Sequence, residues 1–204
     1  MPKVKYKEFR EKLKRVTIFS FRAVESKMGK NYAKLFVYNL KKAGEITELM
    51  KGWYSFRNSP YLLTVPLGEA YIGLGTAAFL YNVWDQVPNT DIITTRAPRK
   101  IKTGERKIGD RKLIIRSINK KMYFGYETKY IEEAKEKIRI SDPEKTLIDL
   151  IYFNYSFLDE IAPELIKIID KKKLNRYLKR MENVRGIKKI RKNINRIFRK
   201  ASSE

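Results

Sequence analysis

Neither cysteine nor histidine occurs among the 204 residues. The first absence excludes a disulfide framework and thiolate chemistry. The second removes the usual general base, the usual nitrogen ligand for a metal and any serine-histidine nucleophile, so catalysis would have to rest on carboxylates and lysines. Long apolar runs are missing too. None approaches the roughly 18 residues of a membrane-spanning helix, and the amino terminus is charged, so the expectation is a cytoplasmic protein with no membrane partner. Glutamine occurs once while Lys, Ile and Arg abound, a bias that fits a thermophile and equally an AT-rich genome.

Acidic residues are scarce beside basic ones, 23 against 46, a formal net charge of +23. Residues 1–60 hold 15 Lys/Arg against 5 Asp/Glu, residues 61–170 hold 17 against 16, and residues 171–204 hold 14 against 2. Charge loaded onto both ends of a nearly neutral middle suggests two polyanion-binding surfaces on a folded centre. Charge alone does not choose among DNA, RNA and anionic lipid.

The first sixty residues narrow that choice. Phe9, Leu13 and Val16 recur at helical spacing, predicting a short amphipathic helix over 6–15. Ser20 is placed to cap a second helix through Lys27, which Gly29 ends. A third helix is expected over 31–43, with Ala33, Phe36, Val37 and Leu40 on one stripe, and Gly44 stops it. Residues Glu45 to Phe56 then read as two strands reversing at Lys51 and Gly52. Helix, helix, helix, hairpin is the order of a winged helix, in which the third helix enters the major groove of double-stranded DNA. On that helix Asn31, Lys34, Leu35 and Tyr38 lie off the apolar stripe and are the expected base readers. Asn can pair with adenine, Lys can donate to guanine, and Leu can touch a thymine methyl. Lys27, Lys30, Lys41, Lys42, Lys51 and Arg57 suit phosphates, because a charge on a flexible stem positions without specifying. A lysine-rich solvated face, with Asn31 only capping its helix, is the plainer account of the same residues.

Asn58, Ser59 and Pro60 form a polar break, dividing the chain into a winged-helix domain (1–59), a mixed α+β domain (60–156) and a basic helical C-terminal region (157–204). The overall fold class expected is therefore α+β. In the middle, Leu74–Trp84 reads as a buried helix, and Asp91–Thr95, 112–118 and Ile138–Ile140 as strands, with turns at Thr103-Gly104 and Gly109-Asp110. Ser141-Asp142-Pro143-Glu144 is a cap signal opening a helix whose Leu147, Leu150 and Ile151 point inward.

Several segments occur in a telling order: Lys51-Gly52-Trp53-Tyr54, then Thr76-Ala77-Ala78-Phe79-Leu80 with Asp85-Gln86-Val87-Pro88, then Phe124-Gly125-Tyr126-Glu127, then Ile140-Ser141-Asp142-Pro143-Glu144-Lys145-Thr146-Leu147-Ile148-Asp149-Leu150. Over about residues 6–155 the chain resembles the AbiEi family of transcriptional regulators and antitoxins. The resemblance implies a repressor of its own operon acting through a winged helix, and in many members an antitoxin against the nucleotidyltransferase toxin AbiEii of a type IV toxin-antitoxin system. It places the recognition helix on Asn31–Lys42 and the wing on Lys51–Arg57. A homodimer on a palindromic operator and a nucleoid-associated location accord with such a repressor, and no cofactor or metal is expected.

From Lys171 to Lys200 there are 14 Lys/Arg and one acid, yet Leu174, Tyr177, Leu178 and Met181, then Ile187, Ile190, Ile194, Ile197 and Phe198, keep helical spacing. Two amphipathic helices broken at Gly186 are expected, their apolar stripe covering the core or a partner. Lys188, Lys189, Arg191 and Lys192 are the expected phosphate contacts of the outer face, with an anionic lipid surface as the competing reading. Residues 96–121 add 11 Lys/Arg against two acids, a basic face or a solvated hairpin. Asp91 with Glu105-Arg106-Lys107 loosely imitates a metal-dependent nuclease pattern, and thirteen tyrosines could stack on single-stranded RNA. A nuclease or a non-specific architectural or RNA-binding protein is thus the alternative to the repressor, whose reading makes the protein no enzyme.

Overall fold

The structure is a computed structural model and describes residues 6–86 and 89–201. Its first part runs α1 (Lys7–Arg15), β1 (Phe19–Ser20), α2 (Phe21–Met28), α3 (Lys30–Lys42), β2 (Thr47–Met50) and β3 (Trp53–Ser55). The local chemistry sets these boundaries. Ser20 Oγ accepts the Ala23 N–H at 3.2 Å and caps α2, while Gly29, at φ 78°, takes the left-handed conformation that ends it. Gly52, also at φ 78°, reverses the chain between β2 and β3. The three strands pair antiparallel in the order β1-β3-β2. Leu13, Val24, Ala33, Val37, Leu40 and Tyr54 form one core between helices and sheet.

A 3₁₀ turn (Pro60–Leu63) and α4 (Thr64–Leu67) lead into a six-stranded mixed sheet. Its strands are β4 (Ala70–Ile72), β5 (Thr90–Thr94), β6 (Gly104–Ile108), β7 (Arg111–Ser117), β8 (Tyr126–Ile131) and β9 (Glu136–Ser141), in spatial order β6-β7-β5-β4-β9-β8. β5 runs parallel to β7 and β4 parallel to β9, and the remaining neighbours are antiparallel. Helix α5 (Leu74–Leu80) follows β4, and α6 (Pro143–Tyr152), α7 (Leu158–Lys167), α8 (Lys171–Arg180) and α9 (Ile187–Ala201) follow β9.

Strand alternation divides the core in two. Tyr71 and Ile93 point to the helical side, where they meet Leu147, Leu150, Leu174, Leu178, Ile190 and Ile194. Ala70, Ile72, Ile92, Leu113 and Ile115 point the other way, onto Leu62, Leu63 and Leu67 of the connector and onto Leu49 of β2. Ser59 and Pro60 are accordingly buried, and the Asn58 side-chain amide donates to Asp110. The polar break at 58–60 is a packed connector.

Polar groups fasten the helical layer. Asp142 Oδ1 accepts the Lys145 N–H at 2.9 Å and caps α6, while its Oδ2 accepts the Tyr177 hydroxyl at 2.7 Å and pairs with Lys173 at 3.1 Å, tying α6 to α8. Deeper, Lys145 pairs with Asp149, and the Tyr71 hydroxyl accepts from Lys145 Nζ at 2.9 Å and donates to Asp149 Oδ2 at 2.9 Å. Burial lowers the lysine's pKa and raises the aspartate's, and each partner opposes the shift of the other. The stripes of α8 and α9 cover this same core. Helix α4 and strands β1, β4, β6 and β8 have no counterpart among the sequence expectations, while α7 falls within the region 157–204 expected to be helical. Among the described residues no helix is long and apolar enough to cross a membrane.

Candidate nucleic-acid interface

Helix α3 is held by its buried stripe of Ala33, Val37 and Leu40, with Phe36 half-buried against the same core, so the residues off that stripe face outward. Asn31, Lys34, Leu35 and Tyr38 are all exposed there, Leu35 at 51% and Tyr38 at 60% of full accessibility. Lys42 is exposed one turn further on, and Lys27 and Lys30 stand exposed on either side of the Gly29 turn between α2 and α3. Beside α3 an open groove of about 610 Å³ is lined by Lys34, Tyr38, Lys41 and Lys42 together with Phe21 and Tyr54. Tyr54 forms part of its floor, and burial pushes that hydroxyl's pKa up.

The hairpin is fastened to the start of α2, because the Phe21 N–H donates to the Gly52 carbonyl at 2.8 Å. This brings exposed Lys51 next to the first turn of α2, where Arg22 is exposed as well. Sequence reading left Arg22 out. Its signal was a basic residue two positions past the Ser20 cap, at the end of a helix that attracts anions. Arg57 is half-buried just beyond β3, its N–H donating to Ser55 Oγ at 2.9 Å.

One expected phosphate contact has its charge paired within the chain. Lys41 pairs with Glu48 of β2, and that hydrogen bond raises its pKa above the usual lysine value. On α9, Lys188, Lys189, Arg191 and Lys192 are all exposed, Lys189 donating to the neutral Asn154 Oδ1 at 2.7 Å and Arg191 to the Leu178 carbonyl at 3.2 Å, so among the described residues their charges stay unpaired. Helix α9 packs on α6 and α7. The four lysines and arginines named there therefore belong to the helical layer of the six-stranded sheet, a different layer from α3.

Asp91 and Glu105 both pair with Ile114 and so share one cross-strand row and one face, two strands apart. They do not converge. Glu105 is exposed on the outer strand, whereas Asp91 is 1% exposed and accepts from Arg116 Nε at 3.1 Å and from the Tyr155 hydroxyl at 3.3 Å. Burial lifts the Asp91 pKa to about 6, against the pull of Arg116 and Tyr155. Among the described residues no group of three or more acids is placed to hold a metal ion.

These elements make an α+β protein. Its three-dimensional arrangement is similar to that in the crystal structure of RV2827C protein from Mycobacterium tuberculosis, with a TM-score of 0.54 at 16% sequence identity, covering 81% of this chain and 67% of that one. At that identity the likeness concerns the fold. No protein-family model matches the chain, and no curated protein matches its sequence.

Proposed function

We propose that this protein is a sequence-specific DNA-binding repressor that reads double-stranded DNA through α3. The observation that carries the reading is the outward face of that helix, where Leu35 and Tyr38 stand 51% and 60% exposed between Asn31 and Lys34. Large apolar groups left in water beside hydrogen-bonding ones suit a partner that offers thymine methyls and base edges together. The order α1-β1-α2-α3-β2-β3, with its antiparallel sheet, supports it further, since a winged helix-turn-helix is assembled in that order and presents its third helix to the major groove. Lys27, Lys30, Lys42 and Lys51 then hold phosphates on either side of the groove, with the β2–β3 hairpin as the wing. No cofactor enters this reading.

The test is binding of the full chain to the DNA upstream of its own gene and to an unrelated duplex of equal length, titrated at several salt concentrations. Preference for the upstream duplex that persists at high salt is the expected result. Equal binding that vanishes with salt would leave only counterion release and refute sequence reading. The antitoxin role rests on the resemblance to the AbiEi family, and co-expression with a neighbouring nucleotidyltransferase gene tests it: rescue of growth supports the role and continued arrest removes it.

A further inference from the structure

On the helical side of the six-stranded sheet lies a cavity of about 390 Å³, within the range of small-molecule sites. Trp84, Phe153, Tyr155 and Phe157 provide aromatic wall, and Asp91 and Arg116 line it as charged groups. Trp84 and Phe157 lie with ring centroids 5.2 Å apart, and Phe157 is left 37% exposed. Asn89, Asn154 and Ser156 add amides and a hydroxyl.

The guanidinium of Arg116 is held from two sides. Its Nε donates to buried Asp91 at 3.1 Å, and its central carbon lies 5.5 Å from the Phe153 ring centroid and 6.0 Å from that of Tyr155. A guanidinium carries five N–H donors in a planar fork. One goes to Asp91, no other acceptor engages the group among the described residues, and the side chain remains 26% exposed. The result is a pre-oriented fork with spare donors beside an aromatic wall. Gly75 of α5 shapes the same wall: a Cβ there would come within 2.4 Å of the Tyr155 hydroxyl and 2.7 Å of the Trp84 ring.

We propose that this cavity binds a mononucleotide, its base stacked on exposed Phe157 beside the edge of Trp84 and its phosphate accepting hydrogen bonds from Arg116. An aromatic wall next to a rigid guanidinium is complementary to a planar ring carrying an anionic group. The amides and the hydroxyl meet the polar edges of base and ribose. Asp91 and Tyr155 act as positioning residues for the fork.

Trp84 provides the readout. In the full chain carrying Trp53→Phe, so that Trp84 is the one remaining tryptophan, AMP, GMP, CMP and UMP are titrated by fluorescence. The corresponding nucleosides, inorganic phosphate and a short single strand of the same bases are titrated alongside. Saturable quenching by at least one mononucleotide is expected, with its nucleoside weaker by about tenfold or more. Arg116→Gln should abolish that tenfold difference, so that nucleotide and nucleoside bind that variant alike, and a variant that keeps the difference would overturn the assignment of the phosphate to Arg116. Arg116→Lys, which keeps the charge without the fork, should fall between. The proposal is overturned if no mononucleotide saturates below about 10 mM, if nucleotide and nucleoside bind alike, or if only the strand binds. The DNA-reading proposal concerns α3 and stands or falls separately.

Discussion

At Lys145 and Asp149 two opposite charges are fully enclosed, with the Tyr71 hydroxyl between them. Asp149→Ala leaves the ammonium without its counter-charge and should cost about 3–5 kcal/mol in urea unfolding. Replacing the set together, with Tyr71→Phe, Lys145→Met and Asp149→Leu, should bring stability back to within about 2 kcal/mol of the parent. A triple variant as unstable as Asp149→Ala would contradict the ion-pair account. Asp91 makes a second test, this time in pH. Its folded pKa of about 6 lies above the ordinary carboxylate value, so between the two the folded chain holds a proton that the unfolded chain has released. Stability relative to Asp91→Asn should therefore rise as pH falls from 8 through 6 toward 4, by on the order of 2–3 kcal/mol. A difference independent of pH would show that burial does not penalise the charge. Neither environment was legible beforehand. Every position of α6 from Glu144 to Ile151 is buried, so no polar face marks Lys145 as inside or outside. The partners of Asp91 are Arg116 and Tyr155, which only the sheet and the loop after α6 bring to it.

Among the elements, α3 joins a buried stripe to an outward face on which Asn31, Lys34, Leu35 and Tyr38 are exposed. Lys34→Ala and Tyr38→Ala should each reduce discrimination between the upstream duplex and a random one by about 1–3 kcal/mol, measured by competition binding, with little change in thermal stability. Equal weakening on both duplexes would remove them as base readers. Helices whose ends are written locally were readable: Ser20 caps α2, Gly29 ends it, and Asp142 followed by Pro143 opens α6. The strands β5 and β7 were readable from their apolar residues, though not their pairing. The strands β6 and β8 were not. They are the outer strands of the sheet, where charges that discourage edge pairing replace the buried alternation that periodicity detects. Strand β4 is only three residues long and lies wholly inside, so it has neither length nor alternation to announce it.

For the molecule as a whole, α9 has two faces that should separate in experiment. Ile194 is 3% exposed within the core shared with α6 and α7, and Ile194→Ala should cost about 2–5 kcal/mol in unfolding. Lys188→Gln with Lys192→Gln should leave stability unchanged, weaken binding to every duplex alike and flatten the dependence on salt. An unaltered salt slope would take these lysines out of the nucleic-acid contact. Sequence by itself determined the α+β class, the loading of positive charge onto both ends, the three helices and hairpin of the first part, and the outward side chains of α3. Those follow from spacing, caps and turns, which act over a few residues. Only the tertiary structure decided that the basic tail is part of a core, that residues 58–60 are packed, that Asp91 belongs with Arg116 and Tyr155, and that a cavity opens beside them. Each depends on contacts between residues far apart in the chain, and periodicity carries no information about which buried faces meet.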